Sequence, residues 1–373
     1  MRFRVDRGKD GWVAADMHLI PHARDQLLTK IMPVVYEPVA LCPLFDAFMA
    51  RVQPDPAMRA YIQRWMGLSL TGLTVQKLAF WYGAGANGKS VLIDLIARMM
   101  GNYAATAKIE SLTGKNKRGG GDATPDLVPL IGARLVRASE PEEGERFQEG
   151  LIKELTGGEP ILVRALHSDF VEVRPKFKLT ISGNHKPEIR GTDDGIWRRL
   201  ALVPWDVQIP EKERDPLLGE KLWAEASGIL NWLQAGLIGY LEGGLQEPAQ
   251  VLAATQEFRE ESDPVGAFLT SCCHVSGEAR DSVLSLDLAE AFNFWCSRIG
   301  ENEWRLGSIT RKMKIKSKRW KSPVTGRGFE PMKSSKQGYC GIAFVEPFRT
   351  DFRNAPRDQQ GRILRARSDG TND

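Results

Sequence analysis

An octapeptide at residues 83–90 constrains this chain more than any other segment. Its sequence is GAGANGKS, a full match to the pattern G-x4-G-K-S. A strand-like apolar run at residues 78–82 precedes it, and apolar residues at helical spacing follow it from Val91 to Met99. A strand, a glycine-rich loop and a helix in this order gather backbone N–H groups around phosphate oxygens. The segment predicts a nucleoside triphosphate site made by Gly83, Ala84, Gly85, Ala86, Asn87, Gly88, Lys89 and Ser90.

Three polar side chains are candidates for the chemistry at that site. Lys89 would neutralise the β- and γ-phosphates, and the Ser90 hydroxyl would be a ligand of Mg²⁺. A strand-like run at residues 133–138 is followed by Glu140, whose carboxylate would hold Mg²⁺ through water and orient the attacking water. No N-K-x-D segment of the kind that recognises guanine follows the loop, so we expect ATP rather than GTP.

A third strand-like run, at residues 177–182, leads to Asn184, whose amide could contact the γ-phosphate or the attacking water. Two arginines, Arg198 and Arg199, follow it. Arginine suits the charge of a phosphoryl-transfer transition state because the guanidinium stays ionised and can bind two oxygens. In a ring of subunits, this arginine would come from the neighbouring subunit.

The remaining sequence divides into regions of different composition. Residues 1–75 predict a helical N-terminal region, and residues 76–248 alternate strand-like and helical patterns, which predicts an α/β domain. A charged, exposed joint is expected at residues 257–263, within the start of a C-terminal domain at residues 249–348. The polar residues 349–373 are expected to form a disordered tail.

The C-terminal domain contains a strongly basic segment. Eleven lysines and arginines lie between Arg305 and Lys336, together with one acidic residue, Glu330. A basic helix followed by two strands and a glycine turn is typical of a winged helix, which predicts DNA contacts. The alternative is a solvated charged face, but so one-sided a run favours nucleic acid. The predicted DNA-binding residues of this helix are Lys314, Lys316, Lys318 and Arg319.

Composition and hydropathy exclude several other classes of protein. The chain has 373 residues, of which 42% are hydrophobic and 26% charged, as in ordinary soluble proteins. The uncharged run at residues 226–241 is shorter than the roughly 20 residues that span a bilayer, and residues 1–16 lack the apolar stretch of a secretory signal peptide. Five irregularly spaced cysteines suggest reduced thiols and provide no zinc site. We expect a cytoplasmic protein with no membrane partner.

The ordered motifs resemble those of superfamily 3 helicases, specifically the phage and plasmid primase-helicase family with poxvirus-type ATPase relatives. The matching segments are GAGANGKS (83–90), RLVRASEPEEG (134–144), LIKELTGGEPILVRALH (151–167), FKLTISGNHKPEI (177–189) and GTDDGIWRRL (191–200). The resemblance extends over about residues 30–348. It implies an α/β fold with a P-loop AAA+-like ATPase core, an N-terminal helical collar for oligomerisation and a C-terminal winged-helix domain.

The resemblance also implies roles for individual residues. Residues 83–90 would be the Walker A loop, Glu140 the Walker B acid and Asn184 the sensor. Arg199 is preferred as the arginine finger because it directly precedes the next strand, with Arg198 in reserve. The DNA-gripping hairpin of the family corresponds to residues 161–173, where His167 lies at the tip and Arg164 and Lys153 add positive charge. Relatives commonly carry lysine near this tip, from which Ser168-Asp169 departs.

The implied function is an ATP- and Mg²⁺-dependent DNA helicase of a phage, prophage or plasmid replication system, located in a bacterial or archaeal host cytoplasm. It would act as a hexameric ring that translocates on single-stranded or forked DNA, with a separate primase or polymerase as a further partner. About 75 residues precede the motor, too few for the primase domain of larger relatives, so the chain is a stand-alone helicase or a fragment. The alternatives are an ATP-dependent DNA-binding initiator or assembly switch without unwinding, and a small-molecule kinase, which would have no use for the basic segment.

Overall fold

The computed structural model describes residues 2–8, 11–18, 20–21, 23–114, 121–189, 194–332, 337–359 and 363, with side chains described from residue 20 onward. Residues 191–193 of the GTDDGIWRRL segment, Lys333 and Lys336 of the basic segment, and most of the predicted tail lie outside these ranges. The chain forms two compact units, residues 1–258 and 259–373. The division falls within the predicted joint at residues 257–263.

The first unit contains strands that are named here in chain order. They are β1 (Arg2–Gly8), β2 (Gly11–His18), β3 (Leu78–Tyr82), β4 (Ala104–Ala107), β5 (Leu135–Ala138), β6 (Ile161–Val163), β7 (Val171–Val173), β8 (Lys178–Gly183) and β9 (Leu200–Pro204). Its helices are α1 (Pro43–Val52), α2 (Pro56–Gly67), α3 (Lys89–Met100), α4 (Ile109–Leu112), α5 (Glu149–Gly157), α6 (Asp194–Trp197), α7 (Leu218–Trp223), α8 (Ala226–Gly243) and α9 (Ala249–Glu261), the last of which continues past residue 258.

A five-stranded parallel sheet with the order β4-β5-β8-β3-β9 lies at the centre of this unit. Strands β3 and β9 are apolar and buried along almost their whole length, as expected where helices cover both sides of a parallel sheet. In β3, for example, Ala79 and Trp81 join one buried cluster, whereas Leu78 and Phe80 join another. The predicted α/β fold is confirmed, and the parallel sheet is consistent with a P-loop-like core.

The N-terminal residues are more varied than the helical region predicted at residues 1–75. Helices α1 and α2 are present, but an antiparallel hairpin of β1 and β2 precedes them. Helix α2 packs closely on α8, since a Cβ atom placed at Gly236 would lie 2.1 Å from the Gln63 carbonyl oxygen. Only glycine permits this approach of the two helices.

The second unit has its own elements and its own buried core. They are α10 (Pro264–Cys272), β10 (Cys273–His274), β11 (Ser282–Leu284), α11 (Ser285–Arg298), α12 (Leu306–Arg319), β12 (Glu330–Pro331), β13 (Gly338–Cys340), β14 (Ala343–Phe344) and α13 (Phe348–Asn354). Strands β11, β13 and β12 form an antiparallel sheet in that order, and β10 pairs with β14. Phe268, Phe292 and Tyr339 are among the residues buried in the core.

The predicted disordered tail differs from the structure at its beginning. Residues 349–354 lie in α13, where Phe348 and Phe352 are buried with the core of the second unit. A polar sequence with two phenylalanines four residues apart can form such a helix once an apolar surface is available to cover them.

None of the helices in the described ranges combines the length and the apolar character needed to cross a membrane.

Candidate nucleotide-binding site

Residues 83–90, called the P-loop below, connect β3 to α3 at the carboxyl end of the parallel sheet. Gly88 has a φ of +84°, and a Cβ atom there would lie 2.8 Å from a methyl carbon of Val52, so this position requires glycine. The Asn87 amide nitrogen donates to the Trp205 carbonyl oxygen at 3.0 Å, which ties the loop to the segment after β9. The loop therefore curls at the N-terminus of α3, where unpaired backbone N–H groups favour an anion.

Lys89 lies at the start of α3 with its side chain directed into the P-loop. Its Nζ donates to the Gly83 carbonyl oxygen at 2.5 Å and lies 3.4 Å from Oδ1 of Asn184. Burial lowers the pKa of Lys89, and the nearby Glu140 carboxylate opposes that shift. The residue is only 4% exposed, so its charge lies in a site of low dielectric constant where it attracts phosphate strongly.

Glu140 and Asn184 meet at the ends of neighbouring strands, β5 and β8. The Glu140 carboxylate accepts hydrogen bonds from the backbone N–H of Asn184 at 2.5 Å, from its Nδ2 at 3.1 Å and from the backbone N–H of His185 at 3.1 Å. Asn184 Oδ1 in turn accepts from the Gly85 backbone N–H at 3.1 Å. The structure thus brings together four residues predicted from three separate segments: Lys89, Ser90, Glu140 and Asn184.

These residues line an open cleft of about 560 Å³. The cleft extends beyond Ser90 to three residues that sequence reasoning missed, Asp94, Thr106 and Arg137. Arg137 on β5 makes an ion pair with Asp94 of α3 and donates to Thr106 Oγ1 at 3.2 Å. Asp94 lies one helical turn after Ser90, and Arg137 three residues before Glu140, but neither spacing by itself indicates a site.

Arg198 and Arg199 do not line this cleft. Arg199 is buried, with 7% of its surface exposed, and its Nη1 donates to the Gly195 carbonyl oxygen at 2.7 Å. Arg198, by contrast, is exposed at the end of α6. Of the two, Arg198 is therefore the one whose side chain faces the solvent.

The segment predicted to grip DNA forms the expected hairpin. Strands β6 and β7 pair antiparallel, and His167 is exposed at the tip with a φ of +59°. Arg164 supports the hairpin, since its Nη2 donates to the Gly121 carbonyl oxygen at 2.6 Å and its guanidinium lies 4.7 Å from the centre of the Phe170 ring. Lys153 lies apart from the tip, half-buried on α5.

Apolar side chains near this tip were missed by the sequence analysis. Leu166 is 63% exposed and Phe170 39% exposed. The signal in the sequence was an aromatic residue three positions after His167 in an otherwise polar turn. Exposed apolar side chains beside a cation are suited to contact nucleic-acid bases.

Helix α12 of the second unit carries the predicted basic residues on more than one face. Lys314, Lys318 and Arg319 are exposed, whereas Ile309 and Met313 are buried. Lys316 makes an ion pair with Asp263, and its side chain is 14% exposed. Lys316 therefore contributes to the interior of the second unit rather than to its basic surface, while the exposed Arg311, which was not selected, lies one turn before Lys314.

Comparisons with known proteins give the chain a set of relatives. Residues 81–199 match a model described as a family of unknown function, DUF5906. A putative helicase of Acanthamoeba polyphaga mimivirus is 27% identical over 268 residues, which is 67% of this chain and 28% of that protein. A putative helicase of Frog virus 3 is 29% identical over 271 residues, 67% of this chain and 27% of that protein.

A primase of Fowlpox virus is 27% identical over 185 residues, 48% of this chain and 22% of that protein. Among solved structures, the C-terminal region of NrS-1 superposes with a TM-score of 0.49 at 13% identity and covers 83% of this chain and 77% of that chain. The chain thus spans less than a third of the length of the viral relatives described here. The chain is a relative of viral putative helicases and primases. This relationship is consistent with the superfamily 3 primase-helicase family that its motifs resemble.

Proposed function

We propose that this chain is an ATP-driven DNA helicase motor that acts in the replication of a phage, prophage or plasmid. The observation that carries the proposal is the convergence of Lys89, Ser90, Glu140 and Asn184 on one cleft at the N-terminus of α3. The sheet order, with the P-loop strand β3 between β8 and β9, supports an AAA+-like core. Viral relatives named as putative helicases and as a primase support replication as the setting.

The residues of the cleft fit Mg²⁺ together with a triphosphate. Mg²⁺ is commonly bound by one or two protein oxygens with phosphates and water completing the shell, and the Ser90 hydroxyl and Glu140 carboxylate supply such oxygens. When bound, Mg²⁺ would neutralise charge that develops on the phosphates. The P-loop N–H groups and Lys89 would hold the phosphates, and Glu140 would orient the attacking water and accept its proton.

An arginine from a neighbouring subunit would complete the site in a hexameric ring. The exposure of Arg198 supports this residue in that role in preference to Arg199, whose side chain is buried in its own subunit. A guanidinium that arrives from a neighbour makes hydrolysis depend on assembly. Hydrolysis around the ring would then move the subunits in sequence along one DNA strand.

Two surfaces would contact the DNA. The hairpin of β6 and β7 would present His167, with Leu166 and Phe170 beside it, to bases in the channel of the ring. The second unit has the element order α10, β11, α11, α12, β12 and β13 and the sheet order β11-β13-β12, which support a winged helix with α12 toward the DNA. A separate primase or polymerase in the host cytoplasm would supply the priming activity.

The test is ATP hydrolysis with and without single-stranded DNA, using the wild type, Lys89→Ala and Glu140→Gln. We expect DNA to stimulate the wild type, Lys89→Ala to lose nucleotide binding or turnover, and Glu140→Gln to bind ATP without hydrolysing it. Normal turnover by Lys89→Ala would refute the site. Nucleotide binding without hydrolysis under any DNA condition would instead favour the assembly switch.

A further inference from the structure

One side chain, Asn184, connects the two halves of the proposed ATP site. Its Oδ1 accepts a hydrogen bond from Gly85 N–H at 3.1 Å and lies 3.4 Å from Lys89 Nζ. Its Nδ2 donates to the Glu140 carboxylate at 3.1 Å, and its backbone N–H donates to the same group at 2.5 Å. A single amide thus contacts both the P-loop and the catalytic carboxylate.

The contacts on the P-loop side involve donors that a phosphate also needs. A P-loop binds phosphate oxygens through its backbone N–H groups and its lysine. Gly85 N–H and Lys89 Nζ both face an amide oxygen of Asn184. Because a hydrogen-bond donor that is already engaged must give up its partner, a phosphate oxygen would compete with Oδ1 at this position.

The contacts on the other side restrain Glu140. Both carboxylate oxygens accept hydrogen bonds from Asn184, and one of them also accepts from the His185 backbone N–H. A general base needs a lone pair directed at the proton that it takes up. In this arrangement both Glu140 oxygens are already hydrogen-bonded, Oε1 to the backbone N–H groups of residues 184 and 185 and Oε2 to Nδ2 of Asn184.

We propose that Asn184 is a positioning residue that couples phosphate binding to the release of one carboxylate oxygen of Glu140, Oε2. Its amide oxygen occupies the place of a phosphate oxygen on Gly85 and Lys89, while its nitrogen atoms hold the carboxylate. A bound triphosphate displaces the amide oxygen, the amide turns, and the Nδ2 contact to Glu140 is lost. The proposal rests on the ATP site proposed above and goes beyond it, because it predicts that Asn184 opposes nucleotide binding as well as serving hydrolysis.

The order of the strands in the sheet explains why one residue can contact both the P-loop and Glu140. Strand β8 lies between β5 and β3 and pairs with both in parallel, with Ile181 opposite Ala138 on one side and Phe80 on the other. The residue that follows β8 is therefore flanked by the residues that follow β5 and β3. Glu140 and the P-loop come from those two positions.

The test measures binding of a non-hydrolysable ATP analogue with Mg²⁺ to Asn184→Ala and Asn184→Asp. Asn184→Ala removes the competing oxygen, so we expect its Kd to fall by roughly 3- to 10-fold, the scale of one net hydrogen bond. Asn184→Asp places a carboxylate beside Lys89, so we expect its Kd to rise by about 10-fold or more. In steady state, Asn184→Ala should show a lower KM together with a lower kcat, because the amide that would orient the attacking water is also removed.

A matched control is Gln208→Ala, which removes a different amide from the P-loop. Gln208 Nε2 donates to the Ala84 carbonyl oxygen at 3.0 Å and so occupies no phosphate donor. We expect its Kd to stay within about twofold of the wild type. Damage to the fold would weaken binding in every variant, whereas the proposal requires opposite changes in the alanine and aspartate variants.

The outcomes separate this proposal from the proposed function. Unchanged or weaker binding by Asn184→Ala, with normal binding by the wild type and none by Lys89→Ala, overturns the coupling role and leaves the ATP site intact. If the wild type and Lys89→Ala bind the analogue equally or not at all, the ATP site fails and the coupling role fails with it.

Discussion

At the scale of single residues, burial distinguishes two arginines that are adjacent in the sequence. Arg199 is 7% exposed and donates to the Gly195 carbonyl oxygen, whereas Arg198 is exposed. We expect Arg198→Ala to lower the ATPase rate of the assembled protein by at least about 10³-fold, the effect of an arginine finger. Arg199→Ala should instead lower the melting temperature by several degrees, because it empties a buried site.

Mixing two inactive variants tests whether Arg198 acts on a neighbouring subunit. In a ring that contains Arg198→Ala and Glu140→Gln subunits, some sites combine an intact Glu140 with an intact neighbouring Arg198. Mixing should therefore restore part of the ATPase activity that each variant alone lacks. The assignment is wrong if activity stays absent in the mixture, or if Arg199→Ala is inactive with an unchanged melting temperature.

Lys178 has a different role, at the end of β8 opposite to Asn184. Its Nζ donates to the carbonyl oxygens of Thr71 and Leu73 at 2.9 Å and of Lys176 at 3.2 Å. Lys178→Met would leave these acceptors without their donor, so we expect a loss of about 2–4 kcal/mol in the free energy of unfolding. Lys176→Met, two residues away and exposed, is the control and should have little effect.

The effect of Lys178 should depend on pH. Burial, aided by the nearby Arg134, lowers the pKa of Lys178 from 10.5 to about 7. Between these values the unfolded chain binds the proton more tightly, so the free energy of unfolding rises with pH by up to about 1.4 kcal/mol per unit. Urea unfolding at pH 7 and pH 9 should show a wider difference between the wild type and Lys178→Met at pH 9. An equal difference at the two pH values would contradict this.

At the scale of elements, helix α12 combines a buried face with a basic one. Ile309 and Met313 are buried, while Arg311, Lys314 and Lys318 recur at intervals of three and four residues and are exposed. Replacing these three residues by glutamine should weaken DNA binding. It should also reduce the slope of log K against log salt by about 2–3, because each phosphate contact contributes about 0.9. The measurement is a salt titration of DNA affinity.

Lys316→Gln is the matched control on the same helix. Because Lys316 pairs with Asp263 inside the second unit, its replacement should lower thermal stability and leave the salt slope nearly unchanged. If Lys316→Gln reduces the slope as much as one of the three exposed residues does, its charge contributes to the DNA surface after all.

At the scale of the whole molecule, the two units have separate buried cores. One unit contains the clusters on either side of the parallel sheet, and the other contains the cluster around Phe268 and Phe292. We expect calorimetry to resolve two unfolding transitions. Mg²⁺ with an ATP analogue should raise the midpoint temperature of only one of them. At an analogue concentration of 100 times Kd, the free energy of unfolding of that unit should increase by about 2.7 kcal/mol.

Two variants assign these transitions to the units. Phe268→Ala removes a fully buried ring. It should lower the free energy of unfolding by about 3–5 kcal/mol for the transition that nucleotide does not affect. Lys89→Ala should abolish the nucleotide-induced shift and leave the other transition in place. A single transition that shifts as a whole in every case would show that the two units unfold together.

The sequence by itself determined the α/β architecture and several of the residues that line the cleft. Strand-like runs and the helical spacing after residue 88 indicated β3, β5, β8 and α3, and their chain order places the residues that follow the strands at one edge. Lys89, Glu140 and Asn184 could be named in advance because that edge is a geometric consequence of parallel pairing. Such patterns are local, so they can be recognised without the rest of the fold.

Only the tertiary structure decided which polar groups face solvent and which face each other. The burial of Arg199 beside the exposed Arg198, the pairing of Lys316 with Asp263, and the helix α13 in the predicted tail all depend on segments distant in the sequence. The same holds for the contact of one Asn184 amide with both the P-loop and Glu140. Residue type states what a side chain can donate or accept, but its partner is set by the packing of elements far apart along the chain.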